Sequence, residues 1–466
     1  MSADRRPPRV PGLAVTNTAR FYKDPFSLLE RAQKAHGDLF SVKLLGLGEW
    51  TFLCSPALVK EMFKAPTDVL SAGENNGQIL GFMLGKDATF SLEGDAHRQR
   101  QWLVHPFLNQ PSKILGHVPA IRQVALRILD RWPRDRPFAF LDQGHRISLD
   151  VMLHVLFGDS EDETLDHLRE LFEVFAGKGC RSPLIPLSFL QINLGPKSPW
   201  GKILEMRRRV MEAFGAEIDR RLPAMDAEGG EPGEPDAATD DLDVLSQLAS
   251  TPQRNGVTLS RQSLLEEVIN LLFAGHETTG TIMTWTMETL HSHPEVLDRT
   301  LKELDEVLGG EPVSAETVPQ LEYLDAVIQE TIRYRPIAPM AGIRRVEKPF
   351  ELDGRTLAPG SIVTQCFPRM ARRPELFERP DVFDPNHFYQ RRMAPFTWNA
   401  FGGGTRMCVG RGLAELELKV VLATLLQNAR FTIAQEAVTP ERSGMFFGPS
   451  QGLRLEVGPV RGASAQ

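Results

Sequence analysis

One stretch, from about Ser263 to His291, constrains the fold of this chain more than any other. It contains no proline, Ser263 and Glu266 have the spacing of a capping box at its start, and Pro294 marks the start of a following helix. A helix of about 28 residues, at roughly 1.5 Å per residue, is about 42 Å long, far longer than the usual helix. Its apolar residues lie on more than one face, so we predict that it is buried within a large helical fold.

Most of the remaining chain shows helical periodicity, interrupted by short β-rich patches. The pattern predicts helices at Pro25–His36, Ile121–Trp132, Val210–Leu222 and Leu413–Asn428. Turn residues predict hairpins that join Leu39–Leu45 to Trp50–Cys54 and Phe350–Leu352 to Thr356–Leu357, and a further strand at Ser361–Val363. The expected fold class is therefore mainly α with small β-sheets (α+β).

Composition narrows the class of protein. The 466 residues are 42% hydrophobic and 24% charged, ordinary values for a globular protein, and the net charge of −7 argues against a general nucleic-acid binder. The four cysteines lack the paired spacing of a zinc or dithiol site, which indicates a reducing, cytoplasmic location. The sequence shows neither the roughly 20 consecutive apolar residues of a transmembrane anchor nor the apolar core of a signal peptide.

Residues 225–243 are rich in Asp, Glu, Gly, Pro and Ala and interrupt the helical pattern. Composition alone fits a mobile acidic loop and a linker between two folding units equally well. Because a long buried helix follows this segment, we predict that residues 1–466 form a single domain that contains 225–243 as a mobile loop.

A glycine-rich loop, Phe401 to Gly410, precedes a strong helical pattern and contains Cys408. Unpaired N–H groups at a helix start favour a thiolate, and glycines allow the backbone to approach a bulky planar partner. A thiolate placed in this way could be a nucleophile or the single protein ligand of a metal cofactor. An isolated cysteine is more often a buried structural residue.

The long helix carries a second motif, Ala274-Gly275-His276-Glu277-Thr278. The Thr278 hydroxyl can donate to the carbonyl of Ala274, four residues earlier, and loosen the helix locally. Gly275 removes side-chain bulk beside that point. The pattern fits a groove over a flat cofactor, and it equally fits an ordinary buried helix.

A third motif, Glu330-Thr331-Ile332-Arg333, places an acid and a base on one helical face. Alone, such a pair is usually solvated. Together, however, the three motifs resemble the cytochrome P450 family of haem-thiolate monooxygenases. The family's ligand loop has Phe, Gly, Arg, Cys and Gly at fixed offsets, which fall here on Phe401, Gly404, Arg406, Cys408 and Gly410.

The resemblance implies a triangular-prism cytochrome P450 fold with the long central helix over the haem. It implies that Cys408 is the axial ligand of the haem iron and that Glu277 and Thr278 deliver protons. Ala274 and Gly275 match the oxygen-binding groove, and Phe401 belongs to the haem-binding loop. Glu330 and Arg333 match the family's buried pair, whose third member is commonly an arginine where this chain has His387.

The resemblance also implies donors for the two haem propionates. Arg406 of the ligand loop is one, and Arg344 or Arg345 is another, with Arg344 preferred for its spacing to the following turn. His97 is the third. Family members often have an arginine four residues after that histidine, where this chain has Gln101, so Arg98, Arg100 or Trp102 could compensate.

The implied activity is insertion of one oxygen atom from O2 into a lipophilic small molecule such as a fatty acid, terpene or steroid. The cofactor would be haem b (iron protoporphyrin IX), with NAD(P)H electrons from a ferredoxin and its reductase, or from flavodoxin. We expect a cytoplasmic monomer without a membrane anchor or nucleic-acid partner. Arg391, Arg392, Arg411 and Lys419 could form a docking patch, although a solvated basic face fits them equally.

The sequence leaves two alternatives to the monooxygenase function. A peroxide-driven peroxygenase or a haem isomerase would share the fold, but members of those branches often lack the acid-threonine pair. A non-catalytic haem sensor or electron carrier would need no substrate pocket. Apolar segments that could line a pocket, or simply form core, are Ile79–Leu84, Pro183–Leu194, Pro336–Ile343 and Met445–Phe447.

Overall fold

The structure is a computed structural model, and it describes residues 6–158, 163–179, 191–222 and 243–458. Apart from Asp243, the predicted acidic loop lies outside these ranges. The helices in the described ranges are α1 Ala14–Lys23, α2 Pro25–His36, α3 Pro56–Lys64, α4 Gly73–Leu84, α5 Gly94–Asn109, α6 Pro111–Ile114, α7 Val118–Leu129, α8 Phe140–Phe157, α9 Glu163–Val174, α10 Pro199–Arg221, α11 Val244–Ser250, α12 Arg261–Ser292, α13 Pro294–Leu308, α14 Glu322–Tyr334, α15 Phe367–Met370 and α16 Arg411–Asn428.

Short strands form small sheets beside the helices. The strands are β1 Leu39–Leu44, β2 Gly48–Leu53, β3 Leu70–Ser71, β4 Phe138–Ala139, β5 Ala341–Val346, β6 Phe350–Leu352, β7 Arg355–Leu357, β8 Ile362–Gln365, β9 Phe431–Ile433, β10 Pro440–Ser443, β11 Phe446–Pro449 and β12 Arg454–Val457. One sheet has the order β1-β2-β8-β5-β3, in which β2 and β8 are parallel. The fold is thus mainly α with small β-sheets, as predicted.

The predicted hairpins are present. Leu39 lies opposite Leu53 in the β1–β2 pair, and Phe350 lies opposite Leu357 in the β6–β7 pair. The predicted helix at Pro25–His36 coincides with α2, because Asp24 caps its first turn and Pro25 occupies the first helical position.

The long helix begins earlier than predicted, so the capping box at Ser263 is wrong. Ser260 is the N-cap of α12, and its hydroxyl accepts the N–H of Ser263 at 3.2 Å. The Glu266 carboxylate accepts the side-chain amide of Gln262 at 2.7 Å and the backbone N–H of Asp87 at 2.7 Å. The backbone donor of Glu266 is therefore a distant residue and not the N-terminal residue that a capping box requires.

Helix α12 runs through the protein interior, and α8 packs closely along it. A Cβ atom at Gly144 of α8 would lie 2.8 Å from the Gly280 carbonyl oxygen, and one at Gly280 would lie 2.7 Å from the His145 backbone nitrogen. Glycine at both positions lets the two backbones touch. No helix in the described ranges combines the length and the apolar content that crossing a bilayer demands.

Candidate functional site

Cys408 lies in the loop between Phe401 and α16, two residues before Gly410, the N-cap of α16. Its N–H donates to the Phe401 carbonyl at 2.9 Å, and the Phe401 ring lies under the Arg411 guanidinium. The Cys408 side chain is exposed, although burial among protein atoms raises the pKa of its thiol. The Gly410 N–H lowers this pKa, as expected at a helix start, but by less than burial raises it.

The glycines of this loop are required by Phe63 of α3. A Cβ atom at Gly403 would lie 2.7 Å from the Phe63 ring, and one at Gly404 would lie 2.6 Å from the Phe63 carbonyl oxygen. Gly404 also has φ +66°, which side chains rarely adopt. The glycines therefore seat the loop on α3, a role that the sequence pattern does not reveal.

His97, Arg344 and Arg406, here called the cationic cluster, are brought together beside this loop. Burial and the charge of Arg406 lower the pKa of Arg344 to about 10. Burial and the same charge lower the pKa of His97 to about 4, so its ring is neutral at neutral pH. Glu93 lies 3.1 Å from Arg406 and supplies one negative charge, which leaves the group with a net positive charge.

The other arginines that the sequence offers as propionate donors form ion pairs outside the cationic cluster. Arg345 follows Arg344 in β5, is 28% exposed and lies 3.8 Å from Glu347. Arg100 is buried against the Glu267 carboxylate at 2.9 Å, and exposed Arg98 pairs with Asp95. These arginines are therefore engaged away from the cationic cluster.

Gln101 of α5 contacts the ligand loop, and Trp102 follows it in the same helix. The Gln101 amide donates to the Met407 carbonyl at 3.4 Å, and Trp102 is 41% exposed beneath the Arg254 guanidinium. Glu93 and Phe63 are the site residues that sequence reasoning missed. Both act through tertiary contacts, and neither carries a sequence signal.

Helix α12 is buried from Leu264 to Leu290 except at Ala274, Gly275 and Thr278, here called the exposed α12 face. The Thr278 hydroxyl donates to the Ala274 carbonyl at 2.7 Å. Glu277 is buried and does not share this face. The three exposed residues are those that the sequence assigned to a groove.

The hydrogen bond from the Thr278 hydroxyl to the carbonyl four residues earlier is shared by other threonines of α12. Thr281, Thr284 and Thr286 also donate to the carbonyl four residues earlier, at 2.7–2.8 Å, and all three are buried. Gly275 is glycine because a Cβ atom there would lie 2.8 Å from the Met152 sulfur of α8. What distinguishes Thr278 from the other threonines is its exposure.

Glu330 and Arg333 form a fully buried bidentate pair on α14, with N–O distances of 2.7 and 2.6 Å. Arg333 also donates to the carbonyls of Ala371, Pro380 and Val382. Glu330 accepts the N–H of Asp384 at 2.7 Å and lies 3.1 Å from Nδ1 of His387. The pair thus holds the chain segments that lead to the Cys408 loop.

The donor set can be tested against a metal-bearing cofactor. No group of three or more His, Cys, Asp or Glu within the described ranges could hold a metal ion. A metal bound through Cys408 must therefore bring most of its own ligands. The cationic cluster beside it fits a group with two carboxylates, because two buried arginines face only one acid. Iron protoporphyrin meets both requirements.

The comparisons agree with this geometry. The cytochrome P450 family model matches residues 6–457. The chain is 32% identical to a Mycobacterium tuberculosis protein provisionally named cytochrome P450 138, over 97% of this chain and 96% of the relative. It is 30% identical to cytochrome P450 135B1 of the same species, also a provisional name, over 94% of this chain and 88% of the relative.

Solved structures share the fold. Cyanobacterial CYP120A1 with retinoic acid bound has a TM-score of 0.81 at 22% identity, over 98% of this chain and all of that chain. The haem domain of cytochrome P450DA has a TM-score of 0.81 at 19% identity, over 98% of each chain. The chain therefore belongs to the cytochrome P450 family of haem-thiolate monooxygenases, which use O2 and electrons from a redox partner.

Proposed function

We propose that this chain inserts one oxygen atom from O2 into a lipophilic small molecule, with Cys408 as the iron ligand. The observation that carries the proposal is the exposed Cys408 thiol, set in the loop that also contributes Arg406 to the cationic cluster. A thiol and two buried arginines suit the iron and the two propionates of haem b.

In this proposal, Cys408 holds the iron as a thiolate while Arg344, Arg406 and neutral His97 donate to the propionates. When bound, the haem supplies the activation of O2 and the transfer of one oxygen atom. Phe401 accepts the Cys408 N–H and so fixes the cysteine in the loop. The protein's contribution is to position the cofactor, exclude water and deliver protons.

Thr278 is the proposed proton-delivery residue on the exposed α12 face. Its hydroxyl proton is donated to Ala274, so its oxygen can accept a hydrogen bond from a water held above the helix. Glu277, the neighbouring acid, would supply protons to that water. Glu277 must rotate or act through a relay, because it is buried on another side of α12.

A lipophilic substrate is supported by the segments that surround α12. The Trp285 indole of α12 donates to the Phe447 carbonyl at 2.9 Å, and the Phe447 N–H donates to the Ile337 carbonyl at 2.8 Å. Two of the predicted apolar pocket segments, 336–343 and 445–447, are thereby tied to the central helix. The segment 183–190 lies outside the described residues. The structural neighbour CYP120A1 was solved with retinoic acid bound.

The electron donor is proposed to dock on Trp102, Arg254 and Met407, here called the Trp102 surface. Trp102 is 41% exposed and Met407 43% exposed, and Met407 directly precedes Cys408. Arg254 adds positive charge over the indole, which suits an acidic ferredoxin. Two members of the patch expected from sequence are paired within the protein, Arg411 with Glu415 at 2.9 Å and Lys419 with Asp325 at 3.8 Å. Arg391 and Arg392 remain exposed.

The visible spectrum of the dithionite-reduced protein under carbon monoxide tests the Cys408 assignment. We expect a strongly red-shifted Soret band that is lost in Cys408→Ser and kept in Cys366→Ala, a buried cysteine of the β-sheet region. A red-shifted band that survives in Cys408→Ser would overturn the assignment.

Turnover tests the remaining part of the function. With a ferredoxin, its reductase and NADPH, we expect NADPH consumption and oxygenated product from at least one member of a fatty acid, terpene and steroid panel. Product formed from hydrogen peroxide alone, with none from NADPH, would favour the peroxygenase alternative. No turnover with any oxidant would favour the sensor.

A further inference from the structure

Residues 85–93, here called the α4–α5 connector, are irregular backbone between α4 and α5. Within the connector, Ser91 and Leu92 both donate to the Ala88 carbonyl, at 2.8 and 3.1 Å. Irregular backbone takes its shape from tertiary partners, because each buried N–H and C=O group needs one. The partners of the connector therefore determine where it lies.

Two adjacent acids of α12 accept N–H groups of the connector. Glu266 accepts the N–H of Asp87 at 2.7 Å. Glu267 is fully buried and accepts both the N–H and the hydroxyl of Thr89, at 2.9 Å. The Asn270 amide also donates to Glu267, at 3.1 Å. The central helix thus holds two connector residues through their N–H groups.

The buried charge of Glu267 is balanced by Arg100 of α5. One terminal nitrogen of Arg100 donates to the Glu267 carboxylate and to the Asp87 carbonyl, at 2.9 Å each. Both members of the ion pair are buried, so loss of either partner would leave a charge uncompensated in the protein interior. Glu267 is therefore constrained from two sides, by Arg100 and by Thr89.

Arg406 of the cationic cluster binds the carbonyl side of Thr89. It donates to the Thr89 carbonyl at 3.3 Å and to the Leu92 carbonyl. Its side chain is 8% exposed, and Glu93, the last residue of the connector, lies 3.1 Å from it. These three polar partners of Arg406 all belong to the connector. The position of the connector therefore sets the position of the Arg406 guanidinium.

We propose that Glu267 is a positioning residue that orients Arg406 toward the haem propionates, acting through Thr89 and the α4–α5 connector. The inference rests on the proposed function, in which Arg406 donates to a propionate. Arg100, which the sequence offers as a propionate donor, acts here through Glu267 instead. The hold of Glu267 on the connector does not depend on the haem and can be measured separately.

A double-mutant cycle separates positioning from a merely structural role. A structural role would weaken haem binding whichever residue stands at position 406, whereas a positioning role acts only while Arg406 is present. In the holoenzyme, haem transfer to apomyoglobin should be several-fold faster in Glu267→Gln than in the wild type. In the Arg406→Gln background, the same substitution should add little. An equal fold-change in both backgrounds would overturn the proposal.

Glu288→Gln is the matched control. Glu288 is another buried acid of α12, 3% exposed, and it accepts a hydrogen bond from Arg335 at 2.9 Å. The substitution removes the same charge near the opposite end of the same helix. Haem transfer should proceed at the wild-type rate in this variant. An acceleration equal to that of Glu267→Gln would assign the effect to lost charge pairing in general and overturn the proposal.

Thr89 offers a milder change if Glu267→Gln does not fold. Thr89→Val keeps the branched shape but removes the hydroxyl that donates to Glu267, whereas Thr89→Ser keeps the hydroxyl. Both variants retain the ion pair of Arg100 and Glu267. We expect faster haem transfer in Thr89→Val than in Thr89→Ser. Equal rates would remove Thr89 from the path to Arg406 and overturn the proposal.

Hydrogen exchange gives a readout that is independent of haem. The amides of residues 85–93 should exchange several-fold faster in Glu267→Gln than in the wild type, and at the wild-type rate in Glu288→Gln. Unchanged exchange in Glu267→Gln would contradict its hold on the connector. If exchange accelerates but haem transfer does not change, the positioning role is wrong. If the wild type binds no haem at all, the proposed function fails, while faster exchange would still confirm that Glu267 holds the connector.

Discussion

The Glu330 carboxylate lies 3.1 Å from Nδ1 of His387, and the other ring nitrogen of His387 lies 2.6 Å from the Glu378 carbonyl oxygen. Both partners are acceptors, so both ring nitrogens must donate. The ring is then an imidazolium that replaces the arginine common at this position in the family. His387 completes the network that Glu330 and Arg333 begin.

This network predicts a pH-dependent stability. Burial opposes the charged ring, but the hydrogen bond and charge of Glu330 raise the pKa of His387. A raised folded-state pKa stabilises the protein fully below the unfolded value of about 6.5, and the stabilisation is lost as the pH rises through the folded value. Urea unfolding from pH 6 upward should show this loss, and His387→Arg, which stays charged, should reduce it. Equal pH slopes in the two proteins would refute the role of His387.

Breaking the Glu330–Arg333 pair should be strongly destabilising. Arg333→Met removes the charge that compensates buried Glu330, together with the hydrogen bonds that Arg333 donates to three backbone carbonyls. Such losses cost about 3–5 kcal/mol of unfolding free energy. Arg208→Met is the matched control, since Arg208 pairs with Glu205 and Glu212 on an exposed helical face. Chemical denaturation should show little change in the unfolding free energy of the Arg208→Met variant, because exposed ion pairs contribute little.

Arg344 and Arg345 should differ in their effect on the cofactor. Arg344→Gln removes a buried charge-assisted donor from the cationic cluster, whose contribution to binding is about 1.5–3 kcal/mol, or roughly 10- to 100-fold in haem affinity. Transfer of haem to apomyoglobin measures this loss. Arg345→Gln, which changes a residue beside Glu347, should transfer haem at the wild-type rate. Equal rates for both variants would place the propionate donor elsewhere.

Local sequence signals predicted the elements that depend on local chemistry. Helix α2, the β1–β2 hairpin and the buried character of α12 follow from caps, turns and periodicity. The spacing of Ala274 and Thr278, four residues apart, also predicted that they share one face of α12, but it left open whether that face is exposed. These features need only the neighbours along the chain.

Features that depend on contacts between distant segments were not predictable. Glu266 was assigned to a helix cap, yet its carboxylate accepts a hydrogen bond from the backbone N–H of Asp87, which is far away in sequence. Lys419 was expected to belong to a docking patch or a solvated basic face, yet Asp325 of α14, far away in sequence, lies 3.8 Å from it. Charge pairing across segments is set by the fold, and one sequence does not reveal it.

The Trp102 surface should control the rate of electron delivery. Trp102→Ala removes an exposed aromatic side chain from the proposed docking surface, so the second-order rate of reduction by ferredoxin should fall about 10-fold or more, as for a central interface aromatic. The carbon monoxide spectrum should not change. Leu13→Ala, at an exposed apolar residue before α1, is the control. Stopped-flow reduction that is equally fast in both variants would remove Trp102 from the interface.

Thr278 and Thr284 separate a catalytic hydroxyl from a structural one. Both donate to the carbonyl four residues earlier at 2.7 Å, but Thr278 is partly exposed and Thr284 is fully buried. If exposure is what matters, Thr278→Ala should raise the peroxide released per NAD(P)H several-fold, because the water that accepts protons from Glu277 loses its anchor. Thr284→Ala should lower the melting temperature through the buried cavity and leave coupling unchanged. The other threonine hydroxyls of α12 still donate to the helix carbonyls in Thr278→Ala, so the helix itself should stay intact. If this variant releases as little peroxide per NAD(P)H as the wild type, another group delivers the protons.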